Sequence, residues 1–251
     1  MRNSYQNRLA MDHLFFLKER TTFIRRFYGQ ARQPFDDAMR KIQAGEPPFD
    51  QPPYSEDPEP PYLVEYSEAN DSARIVGLTC VSMLSASLKL FVVERHREVF
   101  QLTQDEKKVL GKLGFIRGYR KVLAASGIPI DHAPVNFVLL EEIDLARNQA
   151  QHPDRLTDIN ARYSEHALNK VSSPIFVSDR EAQILSETDA NGVTRWLMQP
   201  QVDVSPQAMN RAIDEVERFC EWFDSWLTDE YEQIRKVLSG AATALPPNAA
   251  P

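Results

Sequence analysis

Residues 64–100 read VEYSEANDSARIVGLTCVSMLSASLKLFVVERHREVF, and this stretch decides the fold class. Val76, Cys80, Met83, Ser87 and Leu90 recur at helical spacing, and Leu84, Leu88 and Phe91 widen that stripe into a broad apolar face. The spacing predicts one long helix with much of its surface buried against other helices. It ends in the charged run Glu94-Arg95-His96-Arg97-Glu98, where His96, set between arginines, is expected at the surface.

Downstream, Thr103-Gln104-Asp105-Glu106 has the pattern of a capping box and opens a second helix carrying Val109, Leu110, Leu113, Ile116, Tyr119, Val122 and Leu123. Gly127 and Pro129 stop it. Asp131 or His132 then caps a third helix, with Pro134 near its first turn and Pro153 at its end. Three consecutive amphipathic helices on short connections pack most simply as an antiparallel bundle.

Upstream, residues 5–43 predict a helix through Leu14, Leu17, Ile24, Phe27 and Tyr28, broken or restarted at Pro34. Seven prolines between Pro47 and Pro61, interleaved with acidic residues, make an extended spacer. Beyond the bundle, Ile175-Phe176-Val177 and Ala182–Glu187 read as strand, Asp189-Ala190-Asn191-Gly192 as a turn, and Val193–Val204 as a returning strand. Ser205 and Pro206 start a last helix, whose residues Met209, Ile213, Val216, Cys220, Phe223 and Leu227 begin a heptad seam running to Leu238. That seam either docks on the core or meets a partner. The expected chain is therefore mostly α: a helical arm (1–45), a linker (46–62), a helical bundle (63–170), a small β-hairpin with a long C-terminal helix (171–240) and a tail (241–251).

Composition narrows the function classes. With 251 residues, 42% hydrophobic and 26% charged, the chain can bury a core unaided. Nine glycines are few for barrels or glycine-loop nucleotide folds. Two cysteines, Cys80 and Cys220, lie far apart and suit neither a disulfide scaffold nor a cysteine-built zinc site. The expected compartment is the cytoplasm, with no leader and no membrane span. Walker A, G-x-G-x-x-G, G-x-S-x-G and H-E-x-x-H patterns are absent. Glu141, Glu142 and Asp144 have no fourth-residue partner on their face to complete a metal site, so no metal and no cofactor are expected and the carboxylates read as solvated. The net charge is −7, yet residues 103–127 carry six basic residues against two acidic ones. Lys107, Lys108, Lys112, Arg117, Arg120 and Lys121 are thus candidate phosphate contacts.

The chemistry concentrates in Arg147-Asn148-Gln149-Ala150-Gln151-His152. Asn148 and His152, four residues apart, share a helix face, and Pro153 sets the imidazole at a helix end. Guanidinium suits bidentate phosphate contact, and imidazole can both take and give a proton near neutrality. A plain reading of the same residues is a C-terminal cap, with Arg147 complementing the helix dipole.

This Arg-Asn-x-x-x-His segment resembles the R-polar-x-x-x-H signature of HEPN domains, all-helical ribonucleases and toxins, over about residues 64–170. A second Arg-to-His spacing, Arg8 to His13, has Leu9 in place of the polar residue. The resemblance implies metal-independent RNA cleavage, with Arg147 on the phosphate, His152 as general acid and base, and Asn148 orienting. It also implies a homodimer whose motifs face each other, and a toxin–antitoxin or phage-defence setting with an antitoxin or other regulatory partner. Two alternatives rest on the residues themselves: a non-catalytic RNA or nucleotide binder using the same pocket, and an oligomer built on the Met209–Leu238 seam.

Overall fold

In the computed structural model, residues 12–52, 54, 59–99, 102–151, 160–171, 173–191 and 199–243 are described. The chain is all-α among them, with eight helices and no strand. Helix α1 spans His13–Ala44, α2 Leu63–Val99, α3 Gln104–Leu113, α4 Phe115–Ala125, α5 Phe137–Gln151, α6 Glu165–Leu168, α7 Asp179–Asn191 and α8 Pro206–Thr243.

Four of these make the bundle. Arg20 Nε donates to Ser87 Oγ at 3.1 Å and Gln43 reaches Tyr66, so α1 and α2 run antiparallel. Lys18–Glu221 and Arg25–Asp214, each 2.7 Å, set α1 antiparallel to α8 as well. Asp144 of α5 meets Ser85 and Lys89 of α2, while Val92 of α2 packs near Phe137 and Leu140 at the start of α5, so this pair is also antiparallel. Thus α1 and α5 point one way, α2 and α8 the other. The core between them contains Ile24, Leu84, Leu88, Leu140, Ile143, Ile213 and Phe223, each at most 2% exposed. Side chains of this kind contribute about 1.5–3 kcal/mol apiece when fully buried.

The seam of α8 docks inward: Met209, Ile213, Val216, Cys220, Phe223 and Leu227 are all buried. Its start is as read from the sequence, with Ser205 Oγ accepting from the Ala208 amide at 3.2 Å. Helix α2 also follows its apolar stripe through Cys80, Leu84, Leu88 and Phe91, all buried, although Leu90 at the stripe's end is exposed. Contrary to the expectation of no membrane-length segment, Leu63–Arg97 is long and apolar enough to cross a bilayer, and half of its most apolar window is buried inside the bundle.

Several expectations are corrected. Helix α1 runs through Pro34 without ending, because Gln30 and Pro34 lie on the exposed side, where solvent can take the carbonyl that a proline ring cannot serve. It stops instead at Gly45, whose φ of 63° closes the helix with bonds from Gly45 and Glu46 amides to Ile42 and Lys41 carbonyls. The capping box at Thr103 and Glu106 is present, but the helix it opens is two helices, α3 and α4, joined at Gly114 with φ 84°. Gly118 then lets the two close up: a Cβ there would lie 2.8 Å from the Leu110 Cα.

Neither Asp131 nor His132 caps the third bundle helix; they lie in a 3₁₀ turn, Ile130–His132. Asn136 is the cap, its Oδ1 accepting from the amides of Val138 (3.0 Å) and Leu139 (3.2 Å), while Glu215 of α8 takes its own N–H. The hairpin is replaced by helix. Ser178 and Glu181 form a reciprocal cap, and residues 179–191, including the expected strand Ala182–Glu187 and most of the expected turn, continue as α7. Among the described residues the pairing is one antiparallel bridge, Arg162 with Gln201. The last residue of the expected turn, Gly192, and the first half of the expected returning strand, 193–198, lie outside the described residues.

Candidate functional site

The last turn of α5 carries Arg147 and Asn148, both half-buried. Arg147 Nη1 donates to Asn148 Oδ1 at 2.8 Å. One guanidinium N–H therefore holds the amide oxygen, which leaves the Asn148 amide N–H₂ as the donor end of that side chain. His152, with the expected histidine half of the site, lies outside the described residues.

Three buried carboxylates mount this helix. Asp144 is clamped between Ser85 Oγ (3.1 Å) and the Lys89 ammonium of α2. Glu141 faces Arg117 of α4 at 3.4 Å and Lys170 at 4.0 Å. Glu142, 1% exposed, accepts three bonds at one oxygen: from the Tyr163 hydroxyl (3.0 Å) and from the amides of Ile175 (2.8 Å) and Phe176 (2.9 Å). Each carboxylate ties α5 to a different piece of the chain, so the turn bearing Arg147 is held on three sides. These side chains were expected in solvent and are in the core. The available signal was their setting, among Leu139, Leu140, Ile143, Leu145 and Ala146, all apolar around the helix.

Burial sets their electrostatics. Desolvation pushes the Glu142 carboxyl up to about 7, opposed by its bonds from Phe176, Tyr163 and Ile175. Glu141 is raised for the same first reason, with Arg117 and Lys170 pulling the other way. His96 is likewise a correction: it is buried, its ring edge-on to Tyr119 at 5.7 Å, and desolvation lowers its pKa. Burial raises the Cys80 thiol to about 11 and Cys220 well above its ordinary value, so neither is a ready nucleophile.

The six candidate phosphate contacts divide. Arg117 is engaged by Glu141 and donates to the Lys170 carbonyl at 3.2 Å. Arg120 pairs with Asp131 at 2.6 Å and lies 5.0 Å over the Phe137 ring. Lys108 pairs with Asp105 at 2.9 Å, fully in solvent. Lys107, Lys112 and Lys121 are exposed and form no ion pair among the described residues. Of the six, Arg117 and Arg120 reach the helix bearing Arg147, the first through Glu141 and the second over the Phe137 ring at its start. No group of three or more His, Cys, Asp and Glu is placed to hold a metal ion among the described residues.

Comparison with protein-family models, with curated proteins and with solved structures finds no match to this chain.

Proposed function

We propose that this protein is a HEPN-like, metal-independent endoribonuclease of the cytoplasm, acting as a homodimer. The observation that carries the reading is the Arg147–Asn148 pair, bonded side chain to side chain at the end of a helix that three buried carboxylates hold in place. A preorganised cation beside an amide donor suits a phosphate whose charge grows during reaction, since fixed donors need no reorganisation at that moment. The Arg147-Asn148-x-x-x-His152 sequence supplies the proton carrier.

The reaction is transesterification within the RNA. The ribose 2′-oxygen attacks its own phosphorus as His152, or its mate in the dimer, takes the 2′-hydroxyl proton. The bond from phosphorus to the 5′-oxygen breaks, that oxygen receives a proton from imidazolium, and a 2′,3′-cyclic phosphate remains. Arg147 steadies the charge on the phosphorane, and Asn148 holds Arg147. Positioning carries much of the acceleration because nucleophile and electrophile belong to one molecule. The biological setting that fits is a toxin or phage-defence effector restrained by an antitoxin or other regulatory partner.

Incubating the protein with a mixed RNA pool in EDTA tests this, with cleavage and gel shift read from the same samples. Cleavage persisting in chelator is expected, with His152→Ala slower by about 10²–10⁴-fold. Cleavage by His152→Ala at the parental rate refutes the mechanism. A second reading, RNA binding without cleavage, draws on the exposed Lys107, Lys112 and Lys121, which form no ion pair among the described residues. It gives a shift that weakens with salt and no products.

A further inference from the structure

The core-facing side of α1 is Leu17, Thr21, Ile24 and Tyr28, yet the same helix carries a second apolar stripe about a third of a turn away, on the flank beside α2. Phe16, Phe23 and Phe27, interleaved with Arg20, Gln30 and Pro34, repeat at spacings of four and three, the pattern of a helix that meets another helix. Alongside, α2 turns Ile75 and Leu90 outward. These five apolar side chains are 37% to 54% exposed. Phe23 and Phe27 stack nearly parallel, 6° apart with centroids at 5.9 Å, forming a flat ledge. Between Phe16 and Phe23 of α1 and Met83 of α2 opens a cleft of about 480 Å³, large enough for an aromatic side chain.

The charges on this face say what covers it. On the flank of α1 that meets α8, the cations are paired: Lys18 with Glu221 and Arg25 with Asp214. On the open face, Glu19 and Arg26 are exposed and have no ion-pair partner among the described residues. They lie one on either side of Thr22 and Phe23, seven residues apart. A second copy of α1, laid antiparallel with the two-fold axis passing between Thr22 and Phe23, sets Glu19 of each copy opposite Arg26 of the other. Such an isologous contact satisfies both charges twice.

We infer that this α1/α2 face is the contact between two copies of the chain, paired antiparallel through Phe23 and closed by reciprocal Glu19–Arg26 ion pairs. Its size agrees. Taking about 200 Å² for a phenylalanine and slightly less for Ile and Leu, the open apolar surface is about 450 Å² per copy. Pairing covers about 900 Å² before the polar rim is added, which brings the total into the range of specific interfaces, from about 1,000 Å² upward. The inference does not rest on the ribonuclease reading, because the arm helix lies outside the segment that resembles that family.

Analytical ultracentrifugation of the full chain between 1 and about 100 μM tests it. The parent is expected to sediment at twice the 28.7 kDa chain mass. Phe23→Glu is expected to raise the dimer dissociation constant at least 100-fold with unchanged far-UV circular dichroism, since Phe23 takes no part in the core. Glu19→Arg and Arg26→Glu are each expected to weaken the dimer about tenfold, and the double swap to restore it. A parent that stays monomeric throughout, a dimer indifferent to Phe23→Glu, or a double swap no better than the singles overturns the inference.

Discussion

Substituting Glu142 by Gln should change how stability depends on pH, in a direction the structure sets. The carboxyl titrates at about 7 in the folded chain and at 4.5 in its unperturbed state, because burial disfavours its charge. Below about 4.5 it is neutral in both states and costs nothing. As pH rises from there towards 7, the unfolded chain releases its proton while the folded chain retains it. Stability therefore falls across that window and levels off above 7. At about 1.4 kcal/mol per pH unit over about 2.5 units, the full effect is about 3 kcal/mol. Gln keeps an acceptor oxygen for Tyr163 and the two amides and carries N–H₂ where the neutral acid carries its proton, so it imitates the protonated form. The assay is urea unfolding, followed by circular dichroism, of parent and Glu142→Gln at half-unit steps from pH 4.5 to 8. The variant should gain on the parent with rising pH by up to about 3 kcal/mol, which in a parallel thermal melt is about 6–12 °C in Tm for a chain of this size. Equal pH dependence in the two proteins, or a parent that gains on the variant, would refute the reasoning.

Asp144→Ala leaves the half-buried Lys89 ammonium and the Ser85 hydroxyl without their partner and should cost about 1–3 kcal/mol in urea unfolding. Gly118→Val places a branched side chain against the Leu110 backbone and should lower stability by about 1–3 kcal/mol, with α3 displaced from α4. Hydrogen exchange at the amides of residues 107–113 should quicken in the same variant. Cys80 and Cys220 should resist a thiol reagent in the native chain at pH 8 and react only once it is unfolded, because both are buried and burial raises both thiols.

Helices with a strong one-sided stripe were legible from residue spacing alone. The α2 pattern and the α8 seam each present apolar groups at an interval that only a helix lines up, and the Thr103 and Ser205 caps announce themselves by local chemistry. The Arg147–Asn148 pair was legible in kind, since neighbouring positions at a helix end bring a long cation within reach of an amide. The hairpin was misread because Ile175–Val177 and Ala182–Glu187 are short apolar runs, where periodicities of two and 3.6 are hard to tell apart; the Ser178–Glu181 cap decides for the helix. The Gly114 break was hidden by apolar residues that continue the helical pattern on both sides of it.

Sequence by itself determined that this chain is helical, where its two longest helices lie and which faces of them are apolar, because backbone geometry and hydrophobic spacing act over a few residues. Tertiary structure alone decided that Glu141, Glu142 and Asp144 are interior groups rather than solvated ones, that α8 turns its seam inward and that α1 keeps a second apolar face open. Those outcomes depend on which helices lie alongside one another. A carboxylate in an apolar helix becomes a buried anchor only when Lys89, Arg117 or the amides of Ile175 and Phe176 arrive from distant parts of the chain to meet it.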